Sequence, residues 1–409
     1  MACDGRVNRP RNFMTEHKLR LGVAGLGRAF VLMLPGLAGH PNIELVAAAD
    51  PREDARERFA ASFRARTYSS VDALCADPDV DAVYVATPHQ FHAHNVITAA
   101  RHGKHVLVEK PMALSLDECR SMIEAARQAG VQLVVGHSHS FDAPIARTRE
   151  IIASGTVGRL RMITAMQFTD FLYRPRRPEE LATASGGGVV FNQAPHHVDV
   201  VRVLAGGMVK SVRALTGAWD DSRPTEGAYS ALLTFEGGAF ATLTYSGYAH
   251  FDGDELSGWI AESGYPKDPD AYGSARALLH RLDTPADELP LKNARLYGGP
   301  ETSISAGPAD ASRLHQHFGL VIASCDRADL RPGPKGVTIY GDQSRSFEPM
   351  PVPAVPRSEV IDEFLAAIFD GKPPLHSGEW SLATMEVCLA MLQSAREGRE
   401  IPLNHQVGI

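Results

Sequence analysis

Leu19, Leu21 and Val23 alternate into Gly22, Gly25 and Gly27, and an apolar stretch from Phe30 to Leu34 follows at once. Strand, tight glycine turn and helix in that order admit few folds, because they bring bare backbone to a helix N-terminus. In Gly25-Leu26-Gly27-Arg28-Ala29-Phe30 those backbone N–H groups would face a dinucleotide pyrophosphate, with Phe30 in place of the usual third small residue. A glycine turn alone also joins ordinary strands to helices. Asp50 strengthens the pattern, since it ends a second strand, 43–49, 25 residues after Gly25. A carboxylate there binds both ribose hydroxyls of NAD and repels a 2′-phosphate, although Arg52 leaves NADP open. Gly25, Gly27, Arg28, Ala29, Asp50 and Arg52 are therefore candidate cofactor contacts.

The same plan repeats downstream. Asp50-Pro51 reads as cap and first position of a helix with Ala55, Phe59 and Phe63 on one face. Residues 80–86 read as a buried strand, 91–102 as a helix stopped by Gly103, and 106–108 as a strand running into Glu109-Lys110-Pro111. Ser115 and Glu118 form a capping box for a helix with Cys119, Ile123 and Ala126 inward and Gly130 at its end, before a strand at 131–135. Such alternation predicts an α/β fold with a doubly wound parallel sheet. Beyond about residue 155 the pattern becomes strands at 162–168, 209–216, 229–235, 239–245 and 337–340, with helices at 359–369 and 382–394. A second, α+β domain with a large, mostly antiparallel sheet is expected. The division is a disordered tail 1–17, a dinucleotide-binding domain 18–142, a substrate and oligomerisation domain 143–395 and a C-terminal tail 396–409. Residues 252–312 are polar and rich in Gly, Pro and Asp, and read as an insertion with short helices.

Composition narrows the partner. A formal net charge of −7, with no long basic run, argues against nucleic acid or an anionic membrane surface, and for a small molecule. The five cysteines are scattered singly, which suits reduced thiols in a cytoplasm better than a disulfide framework. The first 17 residues lack the apolar core of a secretory signal, and no run approaches the length of a membrane span.

Residues able to carry chemistry fall at the strand ends. Thr87-Pro88-His89 with His92, and Glu109-Lys110-Pro111, stand at the C-terminal rim of the parallel sheet, where open α/β sheets hold ligands. The segment Gly186-Gly187-Gly188-Val189-Val190-Phe191-Asn192-Gln193-Ala194-Pro195-His196-His197-Val198-Asp199 is the densest constellation. Its glycines permit close backbone approach, and a helix beginning near Asn192 would set Asn192 and His196 on one face, with His196 a proton acceptor near neutral pH. No His-Glu-x-x-His accompanies the 17 histidines, and His137-Ser138-His139 has only Asp142 nearby, so no metal is expected.

The glycine turn at 25–27, the Thr87-Pro88 rim, Glu109-Lys110-Pro111 and the glycine-rich approach to His196 together resemble the Gfo/Idh/MocA oxidoreductases over residues 18–395. That resemblance implies a Rossmann domain, NAD(P)-dependent oxidation of a carbinol or reduction of a carbonyl, and a homodimer or homotetramer formed through the open second sheet. It implies Lys110 and His196 as catalytic, Asn192 as an orienting residue where many members carry Asp, and Thr87, Pro88, His92 and Glu109 beside the cofactor. Asn-Gln-Ala-Pro-His, preceded by Tyr173-Arg174-Pro175-Arg176-Arg177-Pro178, resembles a subgroup acting on phthalate dihydrodiols. Arg174, Arg176 and Arg177 are expected to clasp substrate carboxylates, with His139 and His197 nearby. A sugar or polyol dehydrogenase, and a non-catalytic NAD-binding redox sensor, are the alternatives.

Overall fold

The computed structural model describes residues 18–271, 273–300 and 313–409. The expected tail at 1–17 and part of the insertion therefore lie outside the described residues. The N-terminal sheet is built from β1 (Leu19–Ala24), β2 (Ile43–Ala49), β3 (Arg66–Tyr68), β4 (Ala82–Val85), β5 (His105–Val108) and β6 (Leu133–Val135). Its order is β3-β2-β1-β4-β5-β6 and every pairing is parallel. Helices α1 (Arg28–Gly39), α2 (Glu53–Phe63), α3 (Val71–Cys75), α4 (His92–Arg101) and α5 (Leu116–Ala129) make the crossovers. Strands covered on both faces are apolar throughout, as β4 is.

Local chemistry departs from expectation at two caps. Helix α2 starts at Glu53 with Arg52 as its N-cap, because the Asp50 carboxylate is spent on the glycine turn and on Arg52. At α5 the Ser115 hydroxyl accepts from the Glu118 N–H, but the Glu118 carboxylate accepts from the Leu114 N–H, one residue earlier than a capping box requires. Phe30 occupies the third glycine position as a packing residue, fully buried with Phe59 at 5.8 Å and Tyr297 at 5.2 Å between ring centroids.

The second sheet has nine strands. After α6 (Ala143–Ala153), β7 (Leu160–Phe168), α7 (Gly188–Asn192) and α8 (Ala194–Ala205) come β8 (Val209–Gly217), β9 (Ala228–Phe235) and β10 (Phe240–Ser246). The insertion supplies α9 (Ser274–Leu279) and α10 (Glu288–Ala294), followed by β11 (Leu320–Cys325), β12 (Ala328–Gly333), β13 (Gly336–Gly341) and β14 (Arg345–Pro349). Helices α11 (Ser358–Phe369) and α12 (Gly378–Glu397) and strand β15 (Ile401–Pro402) close the chain. The order is β14-β13-β12-β11-β7-β10-β9-β8-β15, antiparallel except where β7 runs parallel to β10.

A linear division at residue 142 fails, because the chain returns to the first domain. Val360, Ile361, Phe364 and Leu365 of α11 share one buried cluster with Leu19, Phe30 and Phe59. Nor is 396–409 a tail. β15 pairs with β8, the Ile409 N–H donates to the Gly206 carbonyl, and buried Glu386 accepts from the N–H groups of Asn404 and His405. Deleting residues 400–409 strands that carboxylate without its donors, so a loss of more than about 2 kcal/mol is expected in urea unfolding. A deletion variant with an unchanged midpoint would contradict this.

Candidate functional site

Gly25 turns with φ +93°, and a Cβ there would lie 2.8 Å from the Ala86 carbonyl oxygen, so only glycine fits. The turn is pinned by the Asp50 carboxylate, which accepts from the Leu26 N–H at 2.8 Å and from the Arg52 backbone N–H and Nε at 2.9 and 3.1 Å. The N-terminus of α1 has neither a side-chain cap nor an acidic residue in its first turn, leaving its backbone donors to a ligand. A cleft of about 540 Å³ opens there, bordered by Gly25, Gly27, Asp50, Arg52, Thr87 and Pro88, and also by Arg28 and Ala29. These features fit a dinucleotide. Arg52 is not a free cation in that cleft, since it donates to Asp50 and to the carbonyls of Leu26 and Tyr297.

A larger cavity of about 640 Å³ shares Arg28, Ala29, Thr87 and Asn192 with the first. Lys110, at the end of β5, and His196, in the first turn of α8, both line it. The Lys110 ammonium donates to the Asn192 carbonyl at 2.9 Å, and burial lowers its pKa. His196 is 6% exposed, its Nδ1 is buried without a partner, and burial and the nearby Lys110 charge hold its pKa well below 6.5. It is a neutral imidazole. His139 packs edge-on against it with ring centroids 4.9 Å apart, yet holds the opposite charge state. Burial opposes that charge, but Asp142 at 2.7 Å and Glu262 at 3.4 Å raise His139 to about 9. Against burial, the hydrogen bond and charge of His139 in turn hold Glu262 at about 2.

Several expected roles change. Asn192 ends α7, Gln193 breaks the chain from α8, and the Asn192 amide nitrogen donates to the carbonyls of Gly186 and Gly188. Asn192 therefore faces Lys110 through its backbone and does not share a helix face with His196. Gly187 and Gly188 approach protein, since a Cβ on Gly188 would overlap the Glu226 carboxylate at 2.1 Å, whereas Gly186 borders the cofactor cleft. His197 is a core residue, fully buried with its Nδ1 2.9 Å from the Tyr229 hydroxyl, and lies outside the cavity lining. His92 and Glu109 line the larger cavity but not the cofactor cleft. The His92 ring bridges the carbonyls of Thr87 and Pro111, and Glu109 accepts from the Tyr84 hydroxyl. Arg174 and Arg176 line the larger cavity, whereas Arg177 borders the cofactor cleft, so the three do not form one clasp.

Sequence reasoning missed Glu262, Arg276 and Lys292, which the insertion carries into the cavity. No periodicity or motif marks them in that polar segment. Among the described residues, no group of three or more His, Cys, Asp and Glu is arranged to hold a metal, and no helix is long and apolar enough to cross a membrane.

The His139 shift has a consequence for stability. Its folded pKa is raised, so its contribution is complete below pH 6.5 and is lost as pH rises through about 9. The decline of the melting temperature between pH 6.5 and 9.5 should therefore be shallower in His139→Gln than in the unchanged protein. Identical slopes would refute the charge assignment.

Comparison with known proteins agrees with this geometry. Residues 19–137 match the model of the oxidoreductase family with an NAD-binding Rossmann fold, Gfo/Idh/MocA, and residues 145–258 match the C-terminal domain of the same family. A 1-carboxy-3-chloro-3,4-dihydroxycyclohexa-1,5-diene dehydrogenase from Comamonas testosteroni is 45% identical over 92% of this chain and 95% of its own length. A solved structure from Bordetella bronchiseptica, provisionally assigned as a dehydrogenase, is 43% identical, covers 94% of this chain and all of its own, and superposes with a TM-score of 0.88. The WlbA dehydrogenase from Bordetella pertussis, solved with NADH and UDP-GlcNAcA, shares the fold at 23% identity and a TM-score of 0.66, over 95% of this chain and 99% of its own. With both family models together matching more than half of the chain, and a relative 45% identical over most of it, this chain, with its glycine turn, strand-end lysine and open second sheet, belongs to the Gfo/Idh/MocA oxidoreductase family, and its first domain is an NAD-binding Rossmann domain.

Proposed function

We propose that this protein is an NAD-dependent dehydrogenase that oxidises a carboxylated cyclic dihydrodiol, of the phthalate cis-4,5-dihydrodiol type, to the catechol. One observation carries the reading: Lys110 and a neutral His196 open onto a cavity whose lining holds nine Lys and Arg against six Asp and Glu. Such a lining suits an anionic substrate better than a neutral polyol, and a proton acceptor beside it is superfluous in a redox sensor. The relative from Comamonas testosteroni acts, by its name, on a carboxylated dihydroxycyclohexadiene, which supports the same class.

NAD held in the cleft by Gly25, Gly27, Asp50, Thr87 and Pro88 would supply the hydride acceptor for the carbinol carbon. His196, neutral and lining the cavity, takes the hydroxyl proton. Lys110, held by the Asn192 carbonyl, donates a hydrogen bond to the same oxygen and stabilises the developing alkoxide. NAD is favoured over NADP because the Asp50 carboxylate stands in the cleft while Arg52 is already engaged.

Following NADH and NADPH formation with carboxylated dihydrodiols, neutral dihydrodiols and polyols tests the reading. The expected order is carboxylated over neutral dihydrodiol over polyol, with NAD preferred. His196→Gln should lower kcat by about 10²–10⁴ and Lys110→Met by about 10²–10³. Because the pKa of His196 is depressed, kcat/KM should stay level from pH 8 to pH 6, above the range in which the base is protonated. Better turnover of polyols, or full activity in Lys110→Met, would reject the assignment.

The oligomer is also a proposal: Leu215, Leu232 and Phe240 are exposed on the strands β8, β9 and β10, which suits a homodimer or homotetramer formed through the open sheet face. A monomer in light scattering at micromolar concentration would refute it.

A further inference from the structure

The short turn of helix at Phe171–Tyr173 carries two guanidinium groups on its aromatic rings. The Arg176 guanidinium carbon lies 3.6 Å from the Phe171 centroid, and that of Arg276, from α9, lies 3.9 Å from the Tyr173 centroid. Each is further held by neutral carbonyls, Arg176 by Phe171 and Arg276 by Tyr248 and Ala249. Stacking and carbonyl bonds fix the plane of each group before any ligand arrives, which reduces the entropy lost on binding.

Neither has an acidic partner within ion-pair distance among the described residues, a state they share with Arg28, Lys110 and Arg357 of the same lining but not with the paired cations Arg174, Arg223, Lys267 and Lys292. Arg223 is paired with Glu288 at 2.9 Å, Arg174 with Asp170 at 3.2 Å, and Lys292 with Glu180 at 2.5 Å. The Glu288 carboxylate also accepts from the Arg176 backbone N–H, so the acid that positions Arg176 is already neutralised by Arg223. Arg176 is only 9% exposed, its Nε is buried without a partner, and burial lowers its pKa to about 10. An unpaired buried guanidinium facing a cavity is costly unless a ligand brings the missing anion.

We propose that Arg176 and Arg276 are the carboxylate-binding pair of the larger cavity, taking the acid group of a cyclic or aromatic carboxylate through charge-assisted hydrogen bonds. The proposal rests on the reading of a carboxylated substrate and specifies its contacts. Arg174 is half exposed and already paired, and Arg177 borders the other cleft, so neither takes this part.

Phthalate, which cannot be oxidised by hydride loss from a carbinol, serves as the probe, and its binding is read from the fluorescence of protein-bound NADH. Arg176→Gln and Arg276→Gln should each weaken phthalate binding about 10- to 100-fold, with a much smaller effect in Arg174→Gln. Should Arg176→Gln fail to fold, Arg276→Gln, at a half-buried position, decides the question. Unchanged phthalate affinity in the folded variants, or no phthalate binding by the unchanged protein, would overturn the pair. Arginine-dependent phthalate binding without oxidation of any dihydrodiol removes the proposed reaction and leaves this site standing. Dihydrodiol oxidation with the same KM in both variants does the reverse.

Discussion

The buried carboxylate of Asp199 holds the active-site side of the molecule together. It lies one turn beyond His196 on α8 and accepts from the hydroxyls of Ser140 and Thr384 and from the indole of Trp380, with His376 alongside. Arg202, one turn further, donates to the Trp380 carbonyl, to Thr384 and to the Val407 carbonyl, and stacks on Trp380 at 3.8 Å. A buried charge stays in place only when its hydrogen bonds are made, so these two residues fix α12, the C-terminal segment at Val407 and the 139–141 turn relative to the helix that carries His196.

That anchoring lets two domains share one site. Lys110 comes from the rim of the parallel sheet and His196 from the second domain, and the bond from Lys110 to the Asn192 carbonyl crosses between them. The insertion closes the arrangement from a third side. Tyr297 packs against Phe30 and Phe59 of the first domain, while Glu262, Arg276 and Lys292 face the cavity. A segment with almost no apolar periodicity is ordered here by a few aromatic and ionic contacts.

Within the cavity, charge is sorted over short distances. His139 and His196 touch, yet one is flanked by two carboxylates and the other by none, which sets one ring cationic and the other neutral. A neutral ring beside a fixed positive charge is a base that stays unprotonated in mildly acidic solution. The same uneven distribution leaves Arg176 and Arg276 without acids while Arg223 and Lys292 are paired.

The alternation of strands and helices, the glycine turn, Asp50 at the end of β2 and Lys110 at the end of β5 were legible because they are local: periodicity and turn chemistry act over a few residues. The rim position of Lys110 and the helix bearing His196 follow from the same rules. Tertiary structure alone decided the rest. It spent the Asn192 amide on two glycine carbonyls, put His197 against Tyr229, divided Arg176 from Arg177 between two clefts, and brought Glu262 to His139 across 123 residues of chain. The physical reason is that a side chain's role at a site is set by which partner reaches its polar atoms first, and those partners arrive from segments whose spacing in the sequence carries no periodic signal.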